Sequence, residues 1–364
     1  MFSKIIFVFL IFGLVGGVLS GPVYARQTGA PERIPYNLAL RGATRNLPAV
    51  RALEDAIDDI EEIRDSLRSL LQLRRDAGTI TRPEESQMQR QIADLGAQIN
   101  TMRVTRDQIW IGTEASMRAS MASIANMKLD IELLEAAMAH DRVSLNNTRL
   151  RFEAGHASEA ELRSLELLIQ QAESNLSALQ VSLETENQSL NRILQRPVTG
   201  NFYVHFDREL MELPANLDAH IRRYASNQPN VRQAEITLNR AQAAFSDVHL
   251  DILSPEFGER QRARNQAERV RNDTLRQVET DMRNRYNTLT ALQHQKNSLE
   301  IELQRAKERY ETAQINYQVG LATIFDIETA ALGIFLTEIE IERNLNTFWN
   351  LQFFFQHPFL PMGR

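Results

Sequence analysis

From Leu162 onward the apolar residues fall at alternating steps of three and four: Leu162, Leu165, Ile169, Ala172, Leu176, Leu179, Leu183, then Leu190 and Ile193. A helix completes a turn about every 3.6 residues, so this spacing sets them all on a single stripe. Sustained over about four heptads, such a stripe is a seam for knobs-into-holes packing against another helix. A looser version runs through Ile324, Ile327, Ala331, Ile334, Ile341, Leu345 and Phe348. Proline placement shows how far the helices extend. None occurs between Pro83 and Pro197, or between Pro255 and Pro358. Proline is expelled from helix interiors because it lacks the amide donor and clashes with the previous turn. These two stretches, rich in Ala, Leu, Glu, Gln and Arg, therefore predict long helices, and the predicted fold is all-α.

Each stretch has an internal glycine at a corresponding place, and aligning the two exposes a repeat. Phe152-Glu-Ala-Gly155-His-Ala-Ser158 matches Tyr317-Gln-Val-Gly320-Leu-Ala-Thr323, and Asn46-Leu-Pro48-Ala-Val50-Arg51 matches Asn227-Gln-Pro229-Asn-Val231-Arg232. The chain thus divides into a first helical-hairpin repeat over 38–200 and a second over 201–364, the latter with an aromatic C-terminus. Gly155 and Gly320 can take positive φ at a helix C-terminus, and Ser158 and Thr323 can cap the helix that follows. The result is two αα-hairpins. A returning helix over 158–195 would be about 57 Å long at 1.5 Å per residue, and a seam of that length needs other hairpins or other copies to cover it.

The ends and the composition narrow the function. Lys4 precedes an apolar run from Ile5 to Leu19, and Val23-Tyr24-Ala25 carries small residues where a signal peptidase reads. Residues 1–25 are expected to be a cleaved signal peptide and 26–37, with Gly29, Pro31 and Pro35, a flexible leader. Export follows. No later apolar stretch is long enough for a transmembrane helix, so the mature chain is expected to be soluble by itself. The formal charge of -6 becomes -7 once Lys4 leaves with the signal. Acids and bases are interspersed, which argues against a nucleic-acid surface. Zero cysteines exclude disulfides, thiolate metal sites and cysteine nucleophiles. The seven histidines form no i, i+4 metal pair, and no Gly-rich phosphate loop is present. No cofactor, metal site or enzymatic activity is expected.

Tyr317-x-x-Gly320-x-x-Thr323-x-x-Asp326, with Val319-Gly320-Leu321 inside it and a long amphipathic helix behind it, resembles the helical-tip motif of the TolC-like outer-membrane efflux family. The helix start Asn227-Gln-Pro229-Asn-Val231-Arg232-Gln-Ala234-Glu235 is similar to that family's second-half helix start, and the resemblance covers about Leu38 to Phe355. It implies a homotrimer whose hairpins form a hollow coiled-coil α-barrel, an export conduit. It also implies tips that meet a periplasmic adaptor protein coupled to an inner-membrane transporter. The adaptor-docking tips would be Phe152, Gly155, Tyr317, Val319, Gly320 and Leu321, and the family's acidic ring at the tip maps onto Asp326 and Glu161. Localisation would be the periplasm, the outer membrane or another extracytoplasmic part of the envelope.

The chain departs from the family in one respect. Members interrupt each half with two membrane-crossing strands of about ten residues alternating apolar and polar. Here the stretch from Leu73 to Asn100 reads as turn and helix, and the alternation at Val248, Leu250 and Ile252 stops at Ser254-Pro255-Glu256. The membrane β-barrel strands are expected to be missing. That leaves a second reading, a structural coiled-coil protein of the envelope with no transport role.

Other features have plainer readings. Asp55, Asp58, Asp59, Glu61 and Glu62 read as a solvated helix face rather than a cation site, and His156 as an exposed turn residue. Glu161 and Asp326 could equally be first-turn acids of their helices. The aromatic end, Phe348-Trp349 and Phe353-Phe354-Phe355 to Phe359, reads first as a packed cluster between protomers and second as a membrane-surface anchor.

Overall fold

A computed structural model describes residues 32–45, 47–198, 202–205, 208–246 and 255–361. Among them the chain is almost wholly helical: α1 (Tyr36–Arg45), α2 (Pro48–Asp76), α3 (Arg82–Glu153), α4 (Glu159–Ile193), α5 (Leu217–Tyr224), α6 (Pro229–Ser246), α7 (Pro255–Gln318) and α8 (Ile324–Gln356). One 3-10 turn, Ala225–Asn227, precedes α6. The 72 residues of α3 and the 64 of α7 give rods of about 108 and 96 Å. Prolines sit where helices tolerate them, with Pro48 and Pro83 in the first positions of α2 and α3 and Pro229 and Pro255 opening α6 and α7.

The long rods organise everything else. Ion pairs fix the antiparallel register of α3 on α4, through Arg142 with Glu173 and Arg149 with Glu166. Arg103 with Glu61 does the same for α2 on α3. Arg232 with Asp107, and Arg240 with the Asp94 carbonyl, place α6 antiparallel to α3. In one half of the molecule the helices therefore pack in the row α4, α3, α8, α7, and in the other in the row α2, α3, α6, α7.

Two cores lie halfway along the rods. One gathers Ile34, Ala39, Ala43, Met117, Met121, Ile124, Leu190, Leu194, Val204 and Trp349. The other gathers Ile221, Ala225, Val231, Val278, Met282, Leu289, Phe348 and Phe355. The physical reason is layer count. A lone hairpin buries one seam, and along α4 only Ile169 and Leu190 of the predicted stripe are fully buried. At the middle, α1, α5 and the short strands add a further side, so side chains are enclosed all round.

Three differences from the sequence expectations stand out. Glu32–Pro35, placed in the flexible leader because of its prolines, is a strand (β1) that pairs in parallel with β2 (Phe202–His205). Tyr36 already begins α1, so residues 32–37 of the predicted leader are regular structure. The aromatic end needs no second protomer: Phe348, Trp349, Phe353 and Phe355 are buried by this chain alone. The predicted signal, residues 1–25, and the run at Val248, Leu250 and Ile252 lie outside the described residues.

The expected loss of membrane strands holds. Only five residues, 77–81, separate α2 from α3, and eight, 247–254, separate α6 from α7. Neither gap can hold a pair of membrane-crossing strands of about ten residues each. No helix among the described residues is long and apolar enough to cross a membrane.

Candidate functional site

The two hairpin bends are built from the same local chemistry. At the end of α3 the Gly155 amide donates to the Phe152 carbonyl at 2.9 Å and the His156 amide to the Arg151 carbonyl at 2.7 Å. At the end of α7 the Gly320 amide donates to Tyr317 at 3.0 Å and the Leu321 amide to Asn316 at 2.7 Å. This paired 5→2 and 6→1 pattern is the Schellman motif, which needs a left-handed residue at its centre. Gly155 has φ +76 and Gly320 φ +78. A side chain at either would meet open space, so the requirement for glycine is one of backbone geometry alone.

Three residues on, each turn restarts a helix through a capping box. The Ser158 Oγ accepts from the Glu161 amide at 3.2 Å, and Glu161 reaches back to accept from the Ser158 amide at 3.2 Å. The Asp326 carboxylate accepts from the Thr323 amide at 2.7 Å and from its hydroxyl at 2.8 Å. The backbone N–H and then the hydroxyl of Thr323 hold the Asp326 carboxyl below the usual carboxylate range. Both acids are exposed, and each is engaged at its own helix start.

The opposite end of the molecule repeats this grammar without being a tip. Gly78 has φ +64, its amide donates to Arg75, the Thr79 amide donates to Arg74, and Thr81 with Glu84 forms a capping box. Glycine, hydroxyl and acid have one spacing in all three places: 78, 81, 84; 155, 158, 161; 320, 323, 326. What sets the two tips apart is the aromatic residue three positions before the glycine, Phe152 and Tyr317, where the third turn has Arg75. The sequence carried that third signal, and the reading of Leu73 to Asn100 as turn and helix absorbed it without recognising the match.

Contacts between α3 and α8 bring the bends to one end. Asn126 bonds Asn346 at 2.8 Å, Asp130 pairs with Arg343, and His140 Nε2 lies 3.0 Å from Thr329 Oγ1 with its ring 4.7 Å from that of Phe325. The residue numbers rise on α3 as they fall on α8, so Gly155 and Gly320 face the same way. The first tip projects about six residues, on the order of 9 Å, beyond the second. Sequence reasoning missed this inter-hairpin ladder, since nothing local marks which residues of two helices will meet.

The tips are apolar and open. Leu321 is 80% exposed, and Phe152, Tyr317, Val319 and Ile324 are also exposed. His156 is exposed, with its carbonyl accepting from Arg151 at 3.2 Å. In the acidic stretch of α2, Glu61 pairs with Arg103 at 2.6 Å, and no cluster suited to a metal ion occurs among the described residues.

No family model matches the chain, and no curated protein matches it by sequence. Its fold does match solved structures. The outer membrane protein VceC of Vibrio cholerae shares 13% identity at a TM-score of 0.56, over 87% of this chain and 94% of that one. The outer membrane channel CmeC of Campylobacter jejuni shares 11% at 0.60, over 88% and 85%. The outer-membrane channel OprN shares 12% at 0.62, over 88% and 90%. The chain has the all-α fold of the helical part of TolC-like channels.

Proposed function

We propose that this protein is a TolC-like envelope component of an efflux or export system, a helical conduit whose tips dock an adaptor protein that leads to an inner-membrane pump. The observation that carries the reading is the pair of matched glycine bends facing one way, with Phe152, Tyr317, Val319 and Leu321 open beside them on this fold. Residues 38–200 and 201–364 are read as two copies of one hairpin unit, because α2, α3, α4 and α6, α7, α8 follow the same order with the same bend.

Self-association as a trimer, which the resemblance implies, is part of this reading, and the exposed edges of the helical row support it. On α4, Leu167, Leu168 and Val181 face solvent, and on α7 so do Ile301 and Ile315. In this reading the α4 edge of one copy meets the α7 edge of the next, which would cover both, and three copies form the hollow barrel that the resemblance implies. Envelope localisation accords with the sequence features of export.

The test is an export assay in the source cell. Deletion should raise accumulation of a fluorescent efflux substrate, the wild-type chain should restore export, and Gly320→Val should not. A structural spacer protein is the second reading, favoured by the short connections at residues 77–81 and 247–254 in place of membrane strands. It predicts an envelope defect with unchanged accumulation, and that result would displace the transport reading.

A further inference from the structure

Beside the first core, away from the tips, lies a chamber of about 590 Å³ between the start of α1, the segment 209–211 and the last turns of α8. Its unusual member is Arg118, on α3. The guanidinium carbon lies 4.7 Å from the Trp349 ring centre, 4.6 Å from that of Phe353 and 5.3 Å from that of Tyr36. Rings on its faces leave only the in-plane edges for hydrogen bonds.

One edge is used. Nε donates to Glu114 Oε1 at 3.0 Å and to the Tyr36 hydroxyl oxygen at 2.9 Å, while the Tyr36 hydroxyl donates to the same Glu114 oxygen at 2.7 Å. Burial pushes the Tyr36 phenol up, so it stays a neutral donor. The other edge is not used. The two terminal nitrogens of Arg118 make no hydrogen bond among the described residues, though the side chain is only 16% exposed and lines the chamber. Gln352, which also lines the chamber, does not bond them: its oxygen accepts from the Met211 amide at 2.9 Å and its NH2 group donates to the Glu209 carbonyl at 2.7 Å.

We propose that this chamber binds a small monocarboxylate with a flat apolar body. A guanidinium fork held rigid by ring stacking matches a planar carboxylate, which it takes through two parallel charge-assisted bonds. Trp349, Leu210, Met211 and Pro35 supply apolar wall for the body of the ligand. Glu114 occupies only the used edge of the guanidinium and Glu209 also lines the chamber, so the free edge takes one carboxylate while a second one on the ligand meets repulsion from both acids. The volume lies in the usual range for a small-molecule site.

The proposal does not depend on transport and is tested by binding alone. In full-length protein carrying Trp110→Phe, Trp349 is the remaining one of two tryptophans. Benzoate should change its fluorescence saturably, with half-saturation at roughly 1 mM or below, as expected for one fork and one buried ring. Benzyl alcohol and phthalate should bind at least tenfold more weakly. Arg118→Gln should weaken benzoate at least tenfold. Because that change touches a core, Leu210→Glu is the second variant: it sets a repelling carboxylate on an exposed residue of the chamber wall, leaves Arg118 in place and should also weaken benzoate at unchanged helicity. A linear, unsaturable response to benzoate, equal binding of benzyl alcohol, or wild-type affinity in folded Leu210→Glu would each overturn the proposal.

Discussion

His140 on α3 and Thr329 on α8 are 189 residues apart in sequence, yet the imidazole Nε2 lies 3.0 Å from the hydroxyl oxygen. This contact, with the His140 ring against Phe325 at 4.7 Å, lies nearest the tips among the hydrogen bonds and ion pairs that join α3 to α8 in the described residues. The next, Asp130 with Arg343, lies about ten residues back along α3, or on the order of 15 Å. His140→Ala combined with Thr329→Ala should therefore let the tips separate without unfolding either hairpin. Amide hydrogen exchange should speed up around 140–153 and 324–330 while exchange near Met117 and Met282 stays slow; unchanged exchange at the tips would show the contact to be dispensable.

The three turns of one grammar provide an internal control. Gly320→Val, Gly155→Val and Gly78→Val each force a side chain into φ between +64 and +78, and none meets a neighbour. Each should cost roughly 1 kcal/mol or more from backbone strain alone. Melting temperatures should fall by similar small amounts in all three. Adaptor binding should fall only in the two tip variants; loss in Gly78→Val as well would trace the effect to general destabilisation.

Asp326 makes the start of α8 sensitive to acid. Its carboxyl is held below the ordinary value in the folded chain, chiefly by the Thr323 amide. A depressed folded value means the cap's stabilisation is complete above the unfolded value, about 3.9, and is lost as pH falls through the folded one. Amides of the first turn of α8 should exchange faster below about pH 4 in the wild type, and Asp326→Ala should exchange fast at all pH values. If the double variant with Glu161→Ala also changes ion passage at neutral pH while oligomeric state is kept, the acids line a tip ring as well as capping their helices.

Arg285 ties down the C-terminus. It is 4% exposed and donates to the carbonyls of Phe354, His357 and Leu360, the last at 2.6 Å. Burial holds its pKa below the usual arginine value. Arg285→Met should leave buried carbonyls unsatisfied, at about 1–3 kcal/mol each where water cannot replace the donor. Thermal melting should show the loss, and a protease should then cut first after residue 345. Arg285→Lys should not rescue fully, since a point donor cannot span three carbonyls.

The sequence determined the elements whose causes are local. Proline exclusion gave the two long stretches that hold α3 with α4 and α7 with α8, and the steps of three and four gave the stripe on α4. Glycine with a hydroxyl three residues on gave both bends to the residue, because Schellman bonds and capping boxes close within five or six positions of the chain. It also gave the missing strands, since a five-residue gap cannot hide two crossings. The tertiary structure alone decided what depends on how the rods are staggered. The parallel pairing of Glu32–Pro35 with Phe202–His205, the burial of Phe353 and Phe355 within one chain, and the meeting of Tyr36, Arg118 and Trp349 all join residues far apart in sequence. Their positions follow from the axial register of helices about 100 Å long. That register is set by the sum of many weak seam contacts, so no single stretch of sequence encodes it.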